Sequence, residues 1–149
     1  MSSAPLKLFA EEADDLKIIS SAVQDAVGKI GGFRYQGRAR RFSIELNRFR
    51  WELQPDTSGQ PQRVRSILGI DGVIGVKALG LTRDDPDVVI SLLSVEFEPA
   101  DEPPGGVVRL TFAGDGELAL DVECLDVSLL DGNQAWPTKH TPSHERRRK

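Results

Sequence analysis

The residues able to do chemistry in this chain fall into three groups. The first is basic. RARRFSIELNRFRWEL, residues 38–53, places Arg38, Arg40, Arg41, Arg48 and Arg50 among three aromatics. Guanidinium groups beside exposed rings can hold phosphates and stack bases, so these five arginines form the candidate binding site. The second group is acidic: Glu96 and Glu98 on one stretch, and Glu117, Asp121 and Glu123 on another. Carboxylates spaced to share a strand face are what a glycosidase-like acid/base site uses, but they are also what any soluble antiparallel strand turns to water. The third group is His140, His144 and Cys124. The histidines, four apart, could share a helical face as metal ligands, yet they lie in a Pro-containing polar tail without hydrophobic periodicity. Cys124 falls on the apolar parity of its stretch and reads as a small buried hydrophobe.

Several chemistries have no support. Without an ordered histidine there is no Ser-His-Asp or Cys-His arrangement. No Walker-type loop occurs, and GIDGVIG lacks the strand–loop–helix context of a dinucleotide fingerprint. RDDPD and DEP have no EF-hand spacing. The expectation is therefore no catalytic residues, no metal and no cofactor.

Bulk properties agree with an ordinary soluble protein. The chain has 149 residues, of which 39% are hydrophobic and 28% charged, enough for one domain with a substantial core. A single cysteine excludes an internal disulfide and fits a cytoplasmic location. No apolar run reaches signal-peptide or membrane-spanning length, so no membrane partner is expected. Charge is uneven beneath the net −4: residues 1–75 carry 11 Lys/Arg against 9 Asp/Glu, whereas residues 76–140 carry 4 against 13. Such asymmetry suits either a charged partner or strands that keep their outer faces soluble.

One helix must position these groups, followed by strands. From EEADDLKIISSAVQDAVGK into the next residue, Leu16, Ile19, Val23, Ala26, Val27 and Ile30 follow helical spacing, predicting a helix over 13–27 stopped by Gly28. Acidic residues crowd its first turn, where the helix dipole favours them. LKLFA and FRYQ read as short strands. Asp71-Gly72 between RVRSILGI and VIGVKALGL signals a hairpin, and VVRLTFA–GDG–ELALDVECLDVSLLD a second one. VVISLLSVEFEP reads as a central strand.

Two stretches change phase. Phe42, Ile44 and Leu46 alternate, then Phe49, Trp51 and Leu53 continue on the other parity; likewise Leu118 to Cys124 gives way to Leu125, Val127 and Leu129. A strand with one buried face needs a bulge, or a corner between layers, to survive such a slip. With a bulge at Asn47-Arg48, Phe49 and Trp51 stay in the core while Arg48 and Arg50 face water. The predicted fold is α+β: one N-terminal helix packed on a strongly curved antiparallel sheet, or small open barrel, of about seven strands. Residues 1–131 form the domain and 132–149 a flexible basic tail.

SSAVQDAV, RRFSIELNRFRWE, ISLLSVEFEP and ELALDVECLDVSLLD resemble the defining segments of a bacterial family catalogued as domain of unknown function 2948, over roughly residues 6–131. The resemblance implies a small, stand-alone cytoplasmic protein and brings no activity or catalytic residues. Three functions follow in order: a non-enzymatic binding or protein-interaction module, acting through the curved sheet on a protein partner or as a homodimer; a nucleic-acid or ribosome-associated factor using the five arginines with the RRRK tail; and a small carboxylate-dependent enzyme. The second ranks lower because strand periodicity puts aromatics and arginines on opposite faces.

Overall fold

The computed structural model of the chain describes residues 5–53, 61–82 and 84–138. Its strands are β1 (Lys7–Ala10), β2 (Ala26–Lys29), β3 (Phe33–Gln36), β4 (Arg41–Phe49), β5 (Gln62–Asp71), β6 (Val73–Leu79), β7 (Val89–Pro99), β8 (Gly106–Phe112), β9 (Glu117–Val122) and β10 (Val127–Pro137). Helix α1 (Ala13–Ala22) lies between β1 and β2, and a 3-10 turn (Ile30–Gly32) joins β2 to β3. The strands form one open antiparallel sheet in the order β1-β10-β5-β4-β2-β7-β8-β9-β6, with β3 beside β4. The α+β architecture is as expected, but the sheet has ten strands rather than about seven.

Topology dictates the curvature. β5 and β6 are separated only by Gly72, yet they occupy distant places in the ladder and do not pair. The sheet must therefore curl until its last strand returns beside its third. The expected Asp71-Gly72 hairpin is instead a corner. Gly72 takes the positive φ of +72° that turn chemistry favours, but strand partners are chosen by packing at a distance. A second corner at residues 123–126 carries the chain from β9 to β10. The two are laced together, because Glu123 N–H donates to Gly72 O and Asp71 N–H to Asp126 O, each at 2.9 Å.

Inside the curl, inward residues of both halves make a single core, including Ile44, Leu68, Ile70, Leu92, Leu110, Phe112, Leu120 and Leu129. Phe33 on β3 stacks on Phe112 of β8 with centroids 5.8 Å apart, although those strands are not neighbours. α1 packs on β7 and β1, burying Leu16, Ile19 and the capping residue Val23.

The helix is shorter than predicted. It ends at Ala22 because Asp25 adopts φ +64° and its N–H bonds to Leu92 O at 2.8 Å, turning the chain into β2. Val27 is thus a strand residue. Gly28 is required for another reason than stopping a helix: a Cβ there would come within 2.7 Å of Glu45 O.

The two phase changes have different origins. In β4 there is no bulge: the register runs unbroken from Arg41↔Asp71 to Phe49↔Arg63. Alternation therefore carries Arg48 onto the same inward parity as Phe42, Ile44 and Leu46. In the second stretch the strand ends at Val122 and the chain crosses the corner to β10, as the alternative reading allowed. Cys124 sits exposed at that corner instead of buried. β10 continues past Asp131 to Pro137, after a register shift between Asp131 and Ala135, and Trp136 pairs with Arg63. Residues 139–149 of the expected basic tail lie outside the described residues.

One hydrogen bond couples helix to sheet. The amide of buried Val95 donates to Ser20 Oγ at 2.9 Å, at a point where β7 has run beyond the end of β2. Ser20→Ala should leave that donor without its acceptor and lower the stability, read from urea unfolding, by about 1–3 kcal/mol.

Candidate functional site

The five candidate arginines do not form one cluster. Arg38, Arg40 and Arg41 lie at the start of β4 and Arg48 and Arg50 at its end, so the groups are roughly 25 Å apart along the strand. Arg38 is exposed in the turn before β4. Arg40, with φ +52°, is ion-paired to Glu123 at the corner. Arg41 binds Asp71 at 2.8 Å and lies over Gly69, where a Cβ would collide with the guanidinium.

Arg48 and Arg50 are buried, contrary to the solvated placement expected for them. Arg48 has no exposed side-chain surface. Its Nε and Nη2 donate to Asp131 at 2.8 and 2.7 Å, and its Nη1 and Nη2 donate to Glu52 at 3.0 and 2.8 Å. Nη1 also reaches Phe49 O at 3.1 Å. All five N–H groups of the guanidinium are therefore used. Asp131 in turn accepts from Ser66 Oγ at 2.6 Å and from Leu6 N–H at 2.9 Å. Arg50 donates to Gln62 at 2.7 Å and approaches Glu52 within 3.5 Å.

The electrostatics follow from this packing. Burial, the largest single influence, pushes the Asp131 and Glu52 carboxyls up, but the hydrogen bonds and positive charge of Arg48, joined at Asp131 by Ser66 and Leu6 and at Glu52 by Arg50, together outweigh it, and both lie below the ordinary carboxylate range. Burial alone would lower Arg48; its two carboxylate partners raise it instead. Arg63 differs. Burial holds its pKa below the usual arginine value, with the charge of buried Asp25 opposing only in part.

Phe49 is buried on the outward parity of β4, beneath Trp51 at 4.7 Å in an edge-to-face pair and near Arg63 at 6.0 Å. Trp51, expected in the core, is 38% exposed and donates from Nε1 to Gln24 O at 3.2 Å. The aromatics there act as a cover over the strand end.

Three of the five acidic candidates are also engaged. Glu117 and Glu98 both bind Arg109, at 2.9 and 3.3 Å, and Glu123 holds Arg40. Among the described residues no group of three or more His, Cys, Asp or Glu is placed to hold a metal ion. No helix there is long and apolar enough to cross a membrane.

A cleft of about 400 Å³ opens elsewhere, where the curled sheet fails to close. Among the described residues β3 pairs only with β4 and β6 only with β9, and their other edges line the two sides of a gap. Tyr35 pins the gap's narrow end by donating from its hydroxyl to Val73 O at 2.9 Å. Phe33, Phe42, Val76, Ala78, Leu81 and Leu118 make its wall mostly apolar, with Thr82 and Arg34 as polar members. Sequence reasoning missed this cleft because its lining comes from stretches spread over Ile30 to Leu118. It missed Asp131 and Glu52 too, although Arg48's place on the apolar parity of β4 was a signal that a counter-charge lay inside.

Removing one partner of a buried ion pair strands the other. Arg48→Met should therefore cost about 3–5 kcal/mol in denaturant unfolding. Acid should weaken the same network. Since Asp131 and Glu52 have folded pKa values below their unfolded ones, their contribution is complete above the unfolded range near pH 4 and is lost as pH falls through the folded values. Urea midpoints should decline below about pH 5, and Asp131→Asn should show a flatter acid profile.

No curated protein and no solved structure matches the chain. A family model does match, over residues 6–144. Its segments include the whole of β4, α1 and the Arg48–Asp131 pair. On that coverage, the chain belongs to the family described as Protein of unknown function (DUF2948).

Proposed function

We propose that this chain is a non-enzymatic binding module that takes a small, predominantly apolar ligand in the cleft between β3 and β6. The observation carrying this reading is the cleft itself: about 400 Å³ bounded by two strand edges that lack partners across it. Ligand pockets commonly span about 300–1,000 Å³, with apolar walls and few polar groups. Val76 and Ala78 face inward, opposite Leu120 and Leu118 of β9, so the ligand would meet the rim of the core. A carboxylate-dependent enzyme is disfavoured because Glu98, Glu117 and Glu123 are each held by an arginine. An anionic partner such as nucleic acid would be left to Arg38, Arg40 and Arg41, with Arg48 and Arg50 committed inside. A cytoplasmic location goes with this proposal.

The test is titration with the apolar dye 1-anilinonaphthalene-8-sulfonate, followed by fluorescence. Saturable, one-to-one binding is expected. Ala78→Trp, which fills the cleft, should weaken it at least about tenfold, or 1.4 kcal/mol, while the Tm stays within a few degrees. Unsaturable binding, or binding that Ala78→Trp leaves unchanged, overturns the proposal.

A further inference from the structure

The outer face of β1, β10, β5 and β4 is the side of the sheet opposite the core and α1. Antiparallel register puts directly opposed residues on the same face. Here it aligns Lys7 with Leu130, Leu130 with Ile67, and Ile67 with Glu45. All four side chains point outward, since Leu8, Leu129, Leu68, Ile44 and Leu46 take the core positions between them. Two rows away, Phe9 is 67% exposed on the same face, and Trp136 shares it beyond the register shift. Isolated apolar side chains on a surface need no explanation; four gathered on one sheet face mark a contact surface.

The order of charges identifies the partner. The row reads cation, apolar, apolar, anion. A two-fold axis lying in the contact plane, parallel to the strands and between β10 and β5, reverses that order. Leu130 of one copy then meets Ile67 of the other, and Lys7 meets Glu45, twice over. Within one copy Lys7 and Glu45 are three strand spacings apart, about 14 Å, too far to pair. The same axis sets Trp136 against Arg63 of the second copy, a ring-on-guanidinium contact, because those two are partners across β10 and β5. A row that complements itself in this way is the requirement of an isologous interface. We infer that this face is the contact surface of a homodimer, two sheets stacked through the row Lys7–Leu130–Ile67–Glu45.

The inference is independent of the β3–β6 cleft, which lies on the other side of β4. Sedimentation velocity and native mass spectrometry on the full chain test it. A concentration-dependent dimer is expected. Ile67→Arg should abolish it, with circular dichroism unchanged. Lys7→Glu and Glu45→Lys should each weaken association about tenfold, since either variant creates two like-charge contacts. The chain carrying both substitutions should recover the original affinity, because each pair is restored with its signs exchanged. A chain that stays monomeric at the highest soluble concentration overturns the inference. So does a dimer that persists in Ile67→Arg, or one that the double exchange fails to restore.

Discussion

The fold turns on one guanidinium that has no access to water. Arg48 lies on the core parity of β4, and a charge in that position is tolerable only if its field is neutralised and its donors are all satisfied. Asp131 and Glu52 do the first, and together with Phe49 O they do the second. Because Asp131 also receives Ser66 and the amide of Leu6, a single carboxylate ties β4, β5, β10 and the approach to β1 into one register. A slip of β10 by one residue would turn Asp131 to the opposite face, leaving Glu52 as the one carboxylate on Arg48 and two of its buried N–H groups without acceptors. Register is thereby fixed by electrostatics at one end of the sheet, where hydrophobic alternation is at its weakest.

At the other end backbone geometry does the same work. The corners at Gly72 and at residues 123–126 bond to each other through main-chain groups, and Arg40, emerging beside them, is held by Glu123. Val73 is fixed as well, its N–H by Arg40 O and its O by the Tyr35 hydroxyl. The curl is thus closed at its corners and left open between β3 and β6. That opening is what remains where the edges of β3 and β6 do not pair.

Much of this was legible from residue order. The buried stripe Leu16–Ile19–Val23, the alternation of Phe42, Ile44 and Leu46, and the β8–β9 hairpin all follow from local periodicity. Where the reading failed, non-local packing won. β2 went unseen because AVGK continues the helical spacing, and only the left-handed turn at Asp25 separates them. A bulge is a common remedy for a phase change, and it would put Arg48 and Arg50 in water. The chain keeps strict alternation and takes the charge inside. The cleft has no local signature at all, since it consists of edges left over from pairings made elsewhere.

β10 is the last strand of the described chain and yet an interior one, lying between β1 and β5. On a ribosome, everything up to β9 emerges first, with β1 lacking its strand partner, β5 exposing one edge, and Arg48 waiting without Asp131. The sheet is therefore completed from its middle, by a strand made after the other nine described ones. Unpaired edges in incomplete chains invite misassembly. In this fold a positive charge at a core position marks the place reserved for the missing strand, and only a segment bringing a carboxylate to that depth can occupy it.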